Sequence, residues 1–128
     1  MTASVRTSLQ EALCTISGIV ESDSMFKDDL AYWVNGKEIA HFESDRVIEI
    51  RLTRSVISEN RARLRADQRV DLRRSGSDWI EVVFTKSRDR DFVLELAELA
   101  AAAHRAPPGA TPSPPPTGGD LERRRRFH

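Results

Sequence analysis

Apolar side chains recur along this chain with two different periods, and the change of period marks its elements. Val5, Leu9, Leu13 and Ile16 return at helical spacing, which predicts a helix over residues 3–17 that Gly18 is placed to end. Residues 29–52 then read as a meander of strands. Leu30–Val34 and Lys37–Phe42 flank Asn35-Gly36, and an Asn-Gly pair between apolar stretches signals a tight hairpin because both turn positions need positive φ. A turn at Ser44-Asp45 leads to Arg46–Leu52, where Ile48, Ile50 and Leu52 alternate with Glu49 and Arg51 as in a half-buried strand.

Ser55 is placed to cap a second helix running to about Arg65, with Val56, Ile57, Asn60 and Leu64 on a thin inner face. A second hairpin follows, with Arg69–Arg73 and Trp79–Phe84 flanking a turn at Ser75-Gly76-Ser77-Asp78. The last helix spans roughly Asp89–His104, with Phe92, Leu96, Leu99 and Ala103 as its inner stripe. The order is α-β-β-β-α-β-β-α. Strands joined by hairpins imply an antiparallel sheet, here of about five strands. Three amphipathic helices covering it give a two-layer α+β domain.

Composition sets the domain boundary. All six prolines fall between Pro107 and Pro116. The reading is therefore an α+β domain over 1–105 and a disordered, proline-rich tail over 106–128 ending in Arg123–Arg126. Those four arginines read either as a local patch for nucleic acid or lipid or as a loosely constrained extension.

Charge is segregated although the formal net charge is zero. Residues 1–50 carry nine acidic and four basic side chains, while residues 51–74 carry eight arginines against three acids. Such asymmetry is compatible with an anionic ligand or partner, and equally with a self-complementary fold. Cys14 is the single cysteine, which excludes an internal disulfide and fits a reducing compartment. The opening residues run into a polar helix without an apolar leader, and no stretch approaches the roughly 20 apolar residues of a membrane span. A cytoplasmic location without a membrane span is the expectation.

The chemistry-bearing candidates are few. His41 lies on a predicted strand; it reads as a general base or ligand, or as the hydrogen-bonded structural histidine more common in such places. Strict alternation puts Glu38 on the opposite face from His41. Trp79 starts a strand and, with Trp33 and Tyr32, either lines a pocket or fills core. Arg51, Arg54, Arg61, Arg63, Arg65, Arg69, Arg73 and Arg74 form the densest charged region, either an anion-binding surface or a solvated face. The sequence offers no His/Cys cluster for a metal, no nucleophile elbow and no glycine-rich phosphate loop. No metal and no cofactor is expected.

Four segments together resemble the small luciferase-domain family. They are Gly36-Lys37-Glu38-Ile39-Ala40-His41, Ile50-Arg51-Leu52-Thr53-Arg54, Ser77-Asp78-Trp79-Ile80 and the Asp-initiated last helix. The likeness covers about residues 30–102, and Asp78 stands where a glycine is common before the tryptophan. It implies functional positions at Gly36, Glu38, His41, Arg54 and Trp79, without settled catalytic roles and without light emission. A looser, architectural likeness is to MmcQ/YjbR-like and TfoX N-terminal-like domains. The leading reading is a non-enzymatic binding or interaction module. The alternatives are a small ligand-binding protein or enzyme using His41 with Arg54, and nucleic-acid binding through residues 51–74. The candidate ligand-binding residues are Glu38, His41, Arg51, Arg54 and Trp79.

Overall fold

A computed structural model describes residues 4–72 and 76–127. The elements are α1 (Val5–Leu13), β1 (Val20–Asp23), β2 (Leu30–Val34), β3 (Lys37–Ser44), β4 (Val47–Arg51), α2 (Arg54–Glu59), α3 (Arg61–Ala66), β5 (Val70–Leu72), β6 (Trp79–Val83), α4 (Ser87–His104) and α5 (Gly118–Arg126). The strands form one antiparallel sheet in the order β1-β2-β3-β4-β6-β5. The class is the expected α+β with a hairpin-rich antiparallel sheet, and the counts are six strands and five helices among the described residues.

One face of the sheet is apolar. Tyr32, Val34, Ala40, Phe42, Ile48, Ile50, Ile80, Val82 and Phe84 pack there with Leu9 and Leu13 of α1 and with Val93, Leu96, Ala97, Ala100 and Ala101 of α4. The α4 stripe is rotated from the expected one: Val93 is fully buried, Phe92 half-buried and Ala103 exposed. Sheet and helices thus form two layers with the core between them, leaving the other sheet face to other uses.

The differences from the sequence reading have local causes. β1 carries the short polar segment Val20-Glu21-Ser22-Asp23 at the sheet edge, mostly exposed, so no alternation marks it. The single helix expected over 55–65 is two. At the break, Asn60 leaves helical φ (−110°) and its Nδ2 donates to Val56 O at 2.9 Å, a side-chain bond that competes with continued helix. Its cap is Thr53 rather than Ser55. Cys14 is exposed; its thiol pKa is raised by desolvation at the sulfur and by the Glu21 carboxylate. The tip of the second hairpin at Arg73, Arg74 and Ser75 lies outside the described residues, as do Ala3 and His128.

Residues 106–127 meet the domain at several points. Asn35 Oδ1 accepts from Ser113 N–H at 2.8 Å, Pro116 and Leu121 are buried, and residues 118–126 form α5. The apolar surface that orders the tail belongs to the domain, so the tail's own composition did not announce it. Among the described residues no helix is long and apolar enough to cross a membrane.

The start of α4 rests on Asp89. Its Oδ2 accepts from the backbone N–H groups of Thr85 (2.9 Å) and Lys86 (3.0 Å), and its Oδ1 from Arg69 (3.0 Å). Burial alone pushes the carboxyl up, but the two N–H donors and the Arg69 guanidinium overcome this and hold it down at about 2. The folded value thus lies below the ordinary carboxylate value of about 3.9. The stability that Asp89 contributes is therefore present above about pH 4 and lost as pH falls toward 2. Replacing Asp89 with Ala is expected to cost roughly 1–2 kcal/mol at neutral pH. Denaturant unfolding should show that difference from the wild type shrinking between pH 4 and 2.

Candidate functional site

The uncovered sheet face carries the polar residues that alternate with the core. Along β4 these are Glu49 and Arg51; opposite them stand Trp79 and Glu81 on β6 and His41 on β3. The pairings are direct, His41 with Glu49, Glu49 with Glu81 and Arg51 with Trp79. A regular sheet therefore places a histidine, a carboxylate, an arginine and a tryptophan on one surface patch.

Two irregularities in β3 complete the patch. Tyr32 pairs with Ala40 while Trp33 pairs with Glu38, so Ile39 is an extra residue. This bulge shifts the side-chain phase by one, so Glu38 faces the same side as His41, three positions on, rather than the opposite side expected from alternation. Further along, Phe42 pairs with Ile48 and Ser44 with Val47, so Glu43 is also extra. Its carboxylate reaches back to His41, with Oε1 3.3 Å from Nε2.

Glu38 is almost wholly buried yet saturated with donors. Its Oε2 accepts from Ser24 Oγ–H at 2.6 Å and lies 2.8 Å from His41 Nδ1, and its Oε1 accepts from Met25 N–H at 2.7 Å. In the neutral ring, Nδ1–H donates to this carboxylate and leaves the lone pair on Nε2. Nε2 points to the pocket side, toward Glu43 Oε1 and, at 3.9 Å, Glu49 Oε1. His41 is only 4% exposed.

The loop between β1 and β2 closes over this floor. Ser24 Oγ accepts from the N–H groups of Phe26 and Lys27, which winds the loop tightly. Phe26 lands 5.5 Å from the His41 ring, and Trp79 flanks His41 at 5.0 Å. The two aromatic rings meet edge to face at 5.6 Å. Lys27 Nζ binds Glu43 Oε2 at 2.7 Å. Together with Arg51 and Ser77 these residues line an open cleft of about 430 Å³, the size range of small-ligand sites.

A hydrogen bond from Glu49 is the largest cause that holds the Glu43 carboxyl down at about 2; burial opposes it, and Lys27 and His41 add to it. His41, Glu43 and Glu49 each offer one donor atom, all within 4.8 Å of one another. The sequence had suggested no ligand cluster because Glu49 joins only through strand pairing.

Of the expected site residues, His41, Arg51 and Trp79 line the cleft and Glu38 lies beneath His41. Arg54 does not join them. It is exposed at the start of α2, with its backbone N–H on Asp78 Oδ1 and its guanidinium against Gly76. Asp78 also accepts from Thr53 N–H through its carbonyl and lies 3.9 Å from Arg51, so it shapes the corner where β4 leaves the sheet. Thr53 there holds φ at 89°, a strained value for a residue with a side chain. Tyr32 lies in the core, and Trp33 lines a neighbouring hollow with Lys37, Arg51 and Arg124. Two arginines of the 51–74 segment have partners elsewhere: Arg63 pairs with Glu95, and Arg69 with Asp67 and Asp89.

Composition gave no hint of Phe26, Lys27, Glu43 or the tail arginine Arg125. Arg125 donates to Ser24 O at 3.0 and 2.7 Å and to Lys27 O at 3.4 Å, gripping the loop that carries Phe26.

The Luciferase domain family matches residues 36–100, from the β2–β3 turn to α4, half of the chain, and the chain belongs to that family. The matched segment contains Glu38, His41, Glu43, Glu49, Arg51 and Trp79, whereas Ser24, Phe26, Lys27 and Arg125 lie outside it. Neither the curated proteins nor the solved structures give a match.

Two outcomes test this geometry. Replacing Glu38 with Ala leaves three donors without their acceptor and should cost roughly 1–3 kcal/mol in chemical unfolding. Replacing Arg125 with Ala should speed amide hydrogen exchange in residues 24–29 while leaving exchange in β4 and β6 unchanged.

Proposed function

We propose that this Luciferase-domain protein is a small-molecule binding module whose ligand sits in the cleft over His41. The observation that carries the reading is a floor of hydrogen-bond acceptors under aromatic walls. His41 Nε2 and the Glu43 and Glu49 carboxyl oxygens converge below the rings of Phe26 and Trp79. Rings of this kind favour a flat, apolar ligand surface, which they contact face or edge on. The acceptor floor selects a ligand carrying at least one O–H or N–H donor.

Arg51 extends the specificity. Its guanidinium lies 5.7 Å over the Trp79 ring on the same side of the sheet. A carboxylate at the far end of a planar ligand meets a cation there, while the donor end meets the floor. The sequence-level pairing of His41 with Arg54 thereby becomes a pairing of His41 with Arg51.

Preorganisation supports binding. Glu38 fixes the ring of His41, Lys27 fixes Glu43, and Ser24 shapes the loop that carries Phe26. Groups held this way lose little freedom when a ligand arrives.

The test is a calorimetric titration of the full chain in EDTA with planar probes: 4-hydroxybenzoate, 4-methoxybenzoate and benzoate. Saturable binding of 4-hydroxybenzoate is expected, weaker by roughly tenfold for the two probes without the hydroxyl donor. His41→Asn and Arg51→Gln should each weaken it by a similar factor. Equal affinity for all three probes, or full affinity in His41→Asn, would sink the reading.

A further inference from the structure

Three side chains that can ligate a metal converge in one corner of the cleft floor. His41 Nε2 lies 3.3 Å from Glu43 Oε1 and 3.9 Å from Glu49 Oε1; His41 and Glu49 are buried and Glu43 is exposed. Lys27 occupies Oε2 of Glu43, which leaves Oε1 facing His41.

We propose that this corner is a binding site for a first-row divalent metal ion, held by His41 Nε2 and one oxygen each from Glu43 and Glu49. Two ligand atoms at about 2.1 Å from a common ion stand up to about 4.2 Å apart. The three donor atoms lie within 4.8 Å of one another, so the cluster closes on an ion by side-chain movement of under about an ångström.

The surroundings match what a metal-binding histidine requires. Its other nitrogen donates to a buried carboxylate, Glu38, which is itself fixed by Ser24 and Met25. A carboxylate behind the imidazole sets the tautomer and raises the basicity of the ligating nitrogen. An imidazole with two carboxylates suits Zn²⁺, Mn²⁺ or Fe²⁺ better than Mg²⁺ or Ca²⁺, which prefer oxygen alone. Three protein ligands leave a coordination position open toward the cleft. With the ion in place, the floor changes character: it then accepts a ligand's oxyanion where the metal-free floor accepts a ligand's O–H or N–H. The inference stands on the three donor atoms and not on the identity of the organic ligand.

The experiment titrates the chelator-treated full chain with Zn²⁺, Mn²⁺ and Mg²⁺ by calorimetry, and with Co²⁺ by visible absorption, without organic ligand. The expected result is one equivalent of ion, with Zn²⁺ tighter than Mn²⁺ and Mn²⁺ tighter than Mg²⁺. Co²⁺ should give ligand-field bands. Glu49→Gln should weaken Zn²⁺ by at least about tenfold, and Glu38→Gln, which touches no ion, by roughly 10- to 100-fold. His104→Ala should leave it unchanged. Thermal melts in EDTA identify any variant that fails to fold, and a fixed addition of Zn²⁺ should raise the melting temperature of the wild type more than that of Glu49→Gln. Absence of saturable binding, or full affinity in Glu49→Gln, overturns the metal site. Because the organic probes are titrated in EDTA, failure of that experiment and failure of this one are separate results.

Discussion

The buried Glu38 carboxylate, brought to the His41 face by the extra residue at Ile39, is the constraint from which the rest of the site follows. A carboxylate removed from water is costly unless its oxygens are met by donors. Here the donors are a hydroxyl and a backbone N–H from the adjacent Ser24 and Met25 and the imidazole of His41. Meeting them fixes the turn at Ser24, the start of the loop at Met25 and the orientation of His41. One acid residue thereby ties the β1–β2 loop to the centre of the sheet.

The same device recurs at the edges of the fold. Asp89 joins two backbone donors and Arg69 at the start of α4, and Arg69 in turn lies 3.9 Å over the Phe92 ring. Asp78 meets the backbone of Thr53 and Arg54 where the chain turns from β4 into α2. In each case a charged group supplies the hydrogen bonds that a helix start or strand end lacks. Part of the charge segregation along the sequence is met inside the fold: Arg51, Arg63 and Arg69 reach Asp78, Glu95 and Asp89.

The two layers divide the work. Helices α1 and α4 cover one sheet face and supply the core; the other face holds the cleft, bounded by the β1–β2 loop. The tail secures that loop from outside through Arg125, so a segment outside the domain boundary drawn from composition helps to set the aromatic wall. In the proposed binding reading, contacts at Phe26 are coupled to the order of the tail, a physical link between a proline-rich extension and the site.

The sequence by itself determined the α+β class, the hairpin at Asn35-Gly36, the alternation of β4 and β6 and the candidacy of His41, Arg51 and Trp79. Each of these is written in a local period or a turn whose φ only certain residues adopt; Asn35 and Gly36 do hold positive φ. Other features were decided only by tertiary structure. The bulge at Ile39 reversed the face expected for Glu38, since phase depends on the neighbouring strand and not on β3 alone. Glu49 joined His41 through strand pairing, and Arg51 displaced Arg54 because β4 ends before Arg54 and α2 carries it away. Strand β1 and helix α5 left no periodic mark, because their order comes from the surfaces they meet. Local sequence encodes local geometry, while convergence of side chains is a property of register, and register is fixed only when the whole sheet has formed.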